Sequence, residues 1–169
     1  GRSLLARCQS EDLSASSVRL FSVDTGELKQ AWEAAYHAAM SPDGRFIAIA
    51  LTEEIVIYDS QKQKVIAQFS GEAARANALE FSPDGERLAS ASFDHSVCVW
   101  NIANQELVKT LKGQQHVIKQ MRFSPDGGRL AVGAIDRPSV TVLETQRLDV
   151  LFRVDAESGH QQSSLSTVA

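Results

Sequence analysis

The sequence predicts an all-β fold in which a unit of four short antiparallel strands recurs along the chain. The tetrapeptide Ser-Pro-Asp-Gly occurs three times, at intervals of 41 and 42 residues. Short apolar runs that end in a large residue recur at intervals of 37, 42 and 43 residues. Two separate features with one common period indicate a repeat architecture, in which each repeat is one supersecondary unit.

The three tetrapeptides occupy residues 41–44, 82–85 and 124–127. Proline presets the first corner of a type I turn, Asp tolerates the second corner, and Gly accepts the left-handed conformation that follows. Apolar runs flank each copy, as in ANALEFSPDGERLASAS, which predicts a strand, a turn and a strand. Each tetrapeptide therefore marks the first hairpin of a unit.

The second series of runs predicts the third strand of each unit, and the polar turn and apolar run that follow predict the fourth. In chain order, the third strands are SVRLF, EIVIY, SVCVW and SVTVL, ending at Phe21, Tyr58, Trp100 and Leu143. The fourth strands are ELKQAW, QKVIAQF, QELVKTL and RLDVLF. A complete unit thus has four strands of about five or six residues, a common strand length.

Composition narrows the functional classes. The chain of 169 residues is 43% hydrophobic with a net charge of −4, so no overall basic field favours nucleic acid or anionic lipid. It has no apolar run long enough to predict a membrane span. Two isolated cysteines, Cys8 and Cys98, predict neither a disulfide framework nor a zinc site. They favour a reducing, intracellular compartment, either cytoplasm or nucleus.

These units resemble WD40 repeats, the four-stranded blades of β-propellers. The best copy, residues 71–112, combines Gly71, the tetrapeptide, Asp94 and a run ending in Trp100-Asn101, where the family has Trp-Asp. The resemblance implies a WD40-type β-propeller segment of about four four-stranded antiparallel blades, part of a larger ring. The predicted boundaries are a partial blade lacking its first strand (1–33), three blades (34–70, 71–112 and 113–154) and the first strand of a following blade (155–169).

WD40 blades commonly carry a hydrogen-bonded tetrad of His, Ser or Thr, Asp and Trp, and no unit here has all four. Asp94 and Trp100 match it in one blade, Asp136 matches it in the next, and His160 follows Gly159 as the family's His does. The resemblance assigns these residues structural roles. Because the tetrad is incomplete, we expect apolar packing between neighbouring sheets to hold the blades together.

Both ends of the sequence fall at the same point of the repeat. The chain begins where a Ser-Pro-Asp-Gly turn would end, and GHQQSSLSTVA matches the start of a further unit. Three arrangements are open. The chain is a segment of a longer propeller, or it closes on itself by pairing 164–169 with the blade begun by 3–22, or two copies join into one ring.

Nothing in the sequence predicts catalytic, cofactor-binding or metal-binding residues. Ser90 or Ser92 could be combined with Asp94 and His95, but adjacent side chains of one tight turn cannot form an ordered nucleophile–base–orienter chain. The other histidines are dispersed, and no Gly-rich phosphate-binding loop is present. No small-molecule substrate is therefore predicted.

The resemblance implies a non-catalytic protein–protein interaction scaffold or adaptor within a larger multiprotein assembly. In WD40 proteins, partners often bind the loops between outer and first strands and between second and third strands. The matching positions are the predicted partner-binding residues: Arg75, Phe93, Gln115, Val117 and Ile135. Two alternatives stay open, a regulatory or sensor array within a large multidomain protein and a propeller with a ligand site in its central channel.

Overall fold

The computed structural model describes residues 3–9, 16–71, 76–112, 116–134, 139–155 and 161–162. All regular secondary structure in these ranges is β-strand, which confirms the predicted all-β fold. Among the described residues there is no helix whose length and apolar character would let it cross a membrane.

The strands form four antiparallel sheets, and each sheet follows chain order. The first sheet contains β1 (Ser3–Gln9), β2 (Ser16–Ser22) and β3 (Leu28–Glu33). The second contains β4 (His37–Met40), β5 (Phe46–Ala50), β6 (Glu54–Asp59) and β7 (Lys64–Ser70). The third contains β8 (Ala76–Phe81), β9 (Arg87–Ser92), β10 (Val97–Asn101) and β11 (Glu106–Leu111). The fourth contains β12 (Ile118–Phe123), β13 (Arg129–Ala134), β14 (Ser139–Glu144), β15 (Val150–Asp155) and β16 (Gln161–Gln162).

The sheets stack side by side as propeller blades. The first strands β4, β8 and β12 contact one another in succession, so they lie on the inner side of the stack, and the fourth strands lie on the outer side. Strand β16 pairs with β15 opposite Arg153 and Val154. Most of the predicted terminal segment 155–169 lies outside the described residues, so the predicted unit boundaries stay predictions.

Each Ser-Pro-Asp-Gly segment forms the predicted turn. The Gly44 N–H donates to the Ser41 carbonyl at 2.8 Å, and the other two copies repeat this bond. The three turn glycines have φ of 72°, 72° and 68°, values that favour Gly over all other residues. In the first copy the Ser41 hydroxyl and the Arg45 N–H both donate to Asp43, and these bonds hold the pKa of Asp43 below its usual value. The turn is therefore closed by main-chain and side-chain bonds together.

The hairpin between third and fourth strands has its own repeated geometry. The pairing register shifts at Phe21, Tyr58, Trp100 and Leu143, the large residues that end the third strands. Five positions after each of them the backbone is left-handed, at Gly26, Gln63, Gln105 and Leu148. Only one of these four positions is Gly, so three units hold a side chain in a conformation that costs about 1–2 kcal/mol for an L-residue.

Apolar side chains of neighbouring sheets form three cores, one in each gap between sheets. Strand β6 shows the arrangement: Val56 and Tyr58 pack toward the first sheet, whereas Ile55 and Ile57 pack toward the third. Successive strand residues point to opposite faces, so a sheet between two neighbours needs apolar residues at every position. In β14 the burial alternates instead, and Val140 is 42% exposed.

Trp100 is the largest side chain of the core between the second and third sheets. Its ring stacks on Phe69 of β7 with centroids 4.7 Å apart, and it is 6% exposed. Its indole N–H donates to the Ser90 hydroxyl across the sheet at 2.9 Å. The residue thus joins two blades by apolar contact and two strands of its own blade by a hydrogen bond.

Asp59 follows Tyr58 at the place where Asn101 follows Trp100. Its side chain is fully buried, accepts the N–H groups of Gln61 and Lys62, and pairs with Arg45 at 3.0 Å. Burial acts to raise the pKa of Asp59, but the N–H donors and Arg45 outweigh it and hold the pKa below its usual value. The carboxylate therefore stays ionised while it caps the turn after β6.

We expect Trp100→Ala to lower the free energy of unfolding by about 3–5 kcal/mol, because it removes a buried aromatic ring. Trp100→Phe keeps a ring against Phe69 and loses the hydrogen bond to Ser90, which is worth about 0.5–1.5 kcal/mol. Denaturant unfolding of the two variants measures both effects. Equal stability of Trp100→Ala and the parent chain would contradict the assigned role.

We expect Gln63→Gly to raise the free energy of unfolding by about 0.5–1 kcal/mol, because relief of left-handed strain exceeds the entropy that glycine loses. Gly26→Ala is the matched control at the equivalent turn. A Cβ there meets no atom within 4 Å, so only backbone strain acts and stability should fall. Thermal unfolding of both variants tests the pair, and a loss of stability in Gln63→Gly would overturn this reading of the turn.

Candidate functional site

The loops between second and third strands, and those between fourth and first strands, lie at the same end of the sheets because consecutive strands run antiparallel. We call this surface the loop face. Its described part includes residues 34–36 before β4, 51–53 after β5, 93–96 after β9 and 116–117 before β12. Of the predicted partner-binding residues, Phe93 and Val117 lie on this face.

Phe93 is the most exposed large apolar side chain on the loop face. It is 59% exposed, yet the residues that close its turn, Ser92 and Ser96, are buried. Ser92 N–H donates to the Ser96 carbonyl at 3.0 Å, and His95 N–H donates to the Ser92 carbonyl at 3.1 Å. His95 is left-handed, with φ of 68°. The backbone under Phe93 is therefore fixed by its own hydrogen bonds, while the ring stays in solvent.

The side chain of Asp94 stabilises the same turn through hydrogen bonds. Its Oδ1 accepts the Ser96 N–H at 2.9 Å and the Ser96 hydroxyl at 2.6 Å. Partial burial acts to raise the pKa of Asp94, but the bonds from Ser96 outweigh it, so the pKa lies below its usual value. The carboxylate therefore remains an acceptor at neutral pH and keeps the turn closed.

A second aromatic residue, which the sequence analysis did not single out, lies on the loop face. Tyr36 is 45% exposed just before β4, and its N–H donates to the Ala50 carbonyl at 2.8 Å. Its position before an apolar first strand could have identified it, because it matches the loop positions used for the other units. Val117 is half-buried at the start of β12. A further aromatic residue, Trp32 of β3, is not an exposed loop residue, because its ring packs edge-to-face on Tyr58 with ring centroids 5.1 Å apart.

Several predicted site residues cannot be placed. Arg75, Gln115 and Ile135 of the partner-binding set lie outside the described residues, and so do Asp136 and His160 of the structural set. Among the described residues, Phe93 and Val117 lie on the loop face, Asp94 lies in the same turn as Phe93, and Trp100 lies in the core. The partner-binding role of the whole set stays a prediction.

The hydroxyl groups near Asp94 serve the fold. Ser90 and Ser92 are 1% and 2% exposed, and Ser90 already accepts the indole N–H of Trp100. The segment LASAS places serine at every second position of a buried strand, a pattern that indicates hydrogen-bond partners in the core. In the described ranges, no three His, Cys, Asp or Glu side chains come together in a way that could hold a metal ion.

Comparison with known families finds a match to part of the chain. The family model described as "WD domain, G-beta repeat" matches residues 63–101 and 105–137. These two segments include the third strand of the third sheet, with Trp100, and the first hairpins of the third and fourth sheets. The match agrees with the period and the turn geometry described above.

Three curated proteins are similar to parts of the chain. Protein groucho of Drosophila melanogaster is 32% identical over 72 residues, COMPASS component SWD3 of Saccharomyces cerevisiae is 43% identical over 61, and transcription factor unc-37 of Caenorhabditis elegans is 33% identical over 88. The aligned regions cover 42%, 36% and 49% of this chain. They span only 10%, 19% and 14% of the respective relatives.

We expect Asp94→Ala to open the turn beneath Phe93 without unfolding the blades. Loss of the bond from the Ser96 N–H should speed hydrogen exchange of that amide by about fivefold, since one hydrogen bond is worth about 1 kcal/mol. Asp94→Asn keeps an acceptor oxygen and should restore slower exchange. Glu53→Ala, an exposed acidic residue on the neighbouring loop, is the control. Unchanged exchange at Ser96 in Asp94→Ala would show that the turn does not depend on this carboxylate.

Proposed function

Because two segments of this chain match the WD40 repeat model and its sheets stack as blades, we propose that it is a non-catalytic scaffold that binds another protein through its loop face. The observation that carries the proposal is Phe93, an exposed aromatic ring on a turn whose backbone is already hydrogen-bonded. Ordering a flexible side chain or loop on binding costs free energy, so a fixed turn lowers that cost. Exposed aromatic residues are also enriched among the anchors of protein interfaces.

The other residues of the loop face suit the rim of such an interface. Tyr36 supplies a second exposed ring from the neighbouring blade, and the exposed carboxylates of Glu53 and Asp94 lie on the loops beside it. Charged groups around an apolar centre guide association and exclude wrong partners more than they add affinity. Arg75, Gln115 and Ile135 complete the proposed binding set.

The proposed setting is a multiprotein assembly inside the cell. One similar protein is named as a component of COMPASS, and another is named as a transcription factor, which supports an assembly role with a nuclear location among the possibilities. The cysteines Cys8 and Cys98 are free, as in proteins of reducing compartments. The acidic net charge of −4 favours protein partners over nucleic acid.

We expect Phe93→Glu to remove partner binding while the free energy of unfolding changes by about 0.5 kcal/mol or less, because the ring is exposed. The matched control is Val108→Glu, which puts the same charge on an apolar residue of similar exposure on the outer strand β11. Affinity capture with quantitative mass spectrometry compares the two variants with the parent chain. Proteins that the parent chain and Val108→Glu capture but Phe93→Glu does not would support binding at the loop face. Capture of all the same proteins by Phe93→Glu would contradict it.

A further inference from the structure

The inner strands line a cavity, open to solvent on one side, that the proposed scaffold function does not use. Its volume is about 370 Å³, within the range of small-ligand sites. It is lined by residues of β4, β8 and β12, the three strands nearest to the common axis. Its polar lining consists of His37, Lys119, Gln120 and Arg122. Apolar residues of β8 and β12 form the remaining wall.

The charge around this cavity is opposite to that of the whole chain. Lys119 and Arg122 carry positive charge on β12, and Arg7 of the first sheet is close enough to His37 to lower its pKa. The nearby carboxylate of Glu80 accepts a hydrogen bond from Arg122 across the gap between two blades. Lys119 forms no ion pair within the described part of the chain. An acidic protein thus presents a local excess of cations toward its axis.

His37 adds a polar group of a different kind. Burial, with a smaller contribution from Arg7, lowers the pKa of His37, so the imidazole is neutral at pH 7 and carries one N–H donor. Its Nδ1 atom is buried and has no hydrogen-bond partner among the described residues. A buried polar atom without a partner is costly, so a ligand group that forms a hydrogen bond with it would be favoured.

We infer that this cavity binds an anionic group, a carboxylate or a phosphate, carried by a small ligand. Lys119 and Arg122 supply the charge, and Gln120 and His37 supply neutral hydrogen bonds. Charge-assisted bonds to oxyanions are stronger than neutral ones, so the affinity depends mainly on Lys119, because Arg122 is already paired with Glu80. Since that pair is neutral as a whole, Lys119 leaves the described lining with a net positive charge that favours an anionic ligand over a cationic one.

The test is a titration of the chain followed by amide chemical shifts, with inorganic phosphate in one arm and glutarate in the other at constant ionic strength. We expect saturable shifts at Lys119, Gln120 and His37 in at least one arm. Saturation with phosphate alone identifies a phosphate site, and saturation with glutarate alone identifies a carboxylate site. Shifts that grow linearly with concentration in both arms would overturn the proposal.

Two variants of one residue separate charge from structure. Lys119→Gln should weaken binding by about tenfold, as expected for loss of one charge-assisted contact, whereas Lys119→Arg should retain binding. Lys109→Gln makes the same charge change on the exposed outer strand β11 and should leave the affinity unchanged. Equal affinity of Lys119→Gln and Lys109→Gln would refute the site even if anions bind elsewhere. The loop-face variant Phe93→Glu should titrate like the parent chain, so this test is independent of the scaffold proposal.

Discussion

Apolar packing between neighbouring sheets is the constraint on which the rest of the structure depends. Strands β6 and β10 are buried at nearly every position because each faces a core on both sides. Of the tetrad bonds that the WD40 resemblance implies, one indole–hydroxyl bond, from Trp100 to Ser90, is present among the described residues. At about 25 cal/mol per Å² of buried apolar surface, three such cores outweigh any single polar bond of about 1 kcal/mol.

Because these cores fix the positions of the sheets, they also fix the distances between the loops of neighbouring sheets. The turns at Gly44, Gly85 and Gly127 repeat one geometry at one end of the blades, and neighbouring turns approach each other closely enough that a Cβ on Gly127 would lie 3.7 Å from Pro83. At the other end, the turn of Phe93 is closed by its own hydrogen bonds. A rigid sheet with short, closed turns can present a side chain to a partner with little loss of loop entropy.

The sequence was sufficient for the fold because its signals are local and repeated. The tetrapeptide predicts its own turn, and the alternating runs predict strands whose large final residues coincide with the observed register shifts. The left-handed residue after each shift could not be predicted, since Gln63, Gln105 and Leu148 have no conformational preference for it and tertiary pairing imposes it. Phe93 was predicted as a partner-binding residue from its loop position, whereas the cation-lined cavity depends on residues of three sheets that no local pattern brings together.

Strand β12 differs from the third strands in what packing requires of its sequence. In β6 and β10 nearly every side chain is required for a core, so its identity is set by packing. In β12 Lys119 and Gln120 are exposed between buried Ile118 and Met121, and Arg122 is exposed after Met121, so the fold does not require their chemistry. Glu80 and Arg122 nevertheless pair across two blades, at a position where β4 has Ala39. Packing in the cores does not determine the identity of these polar residues. Their charge can therefore change under selection for binding without loss of the apolar packing between blades.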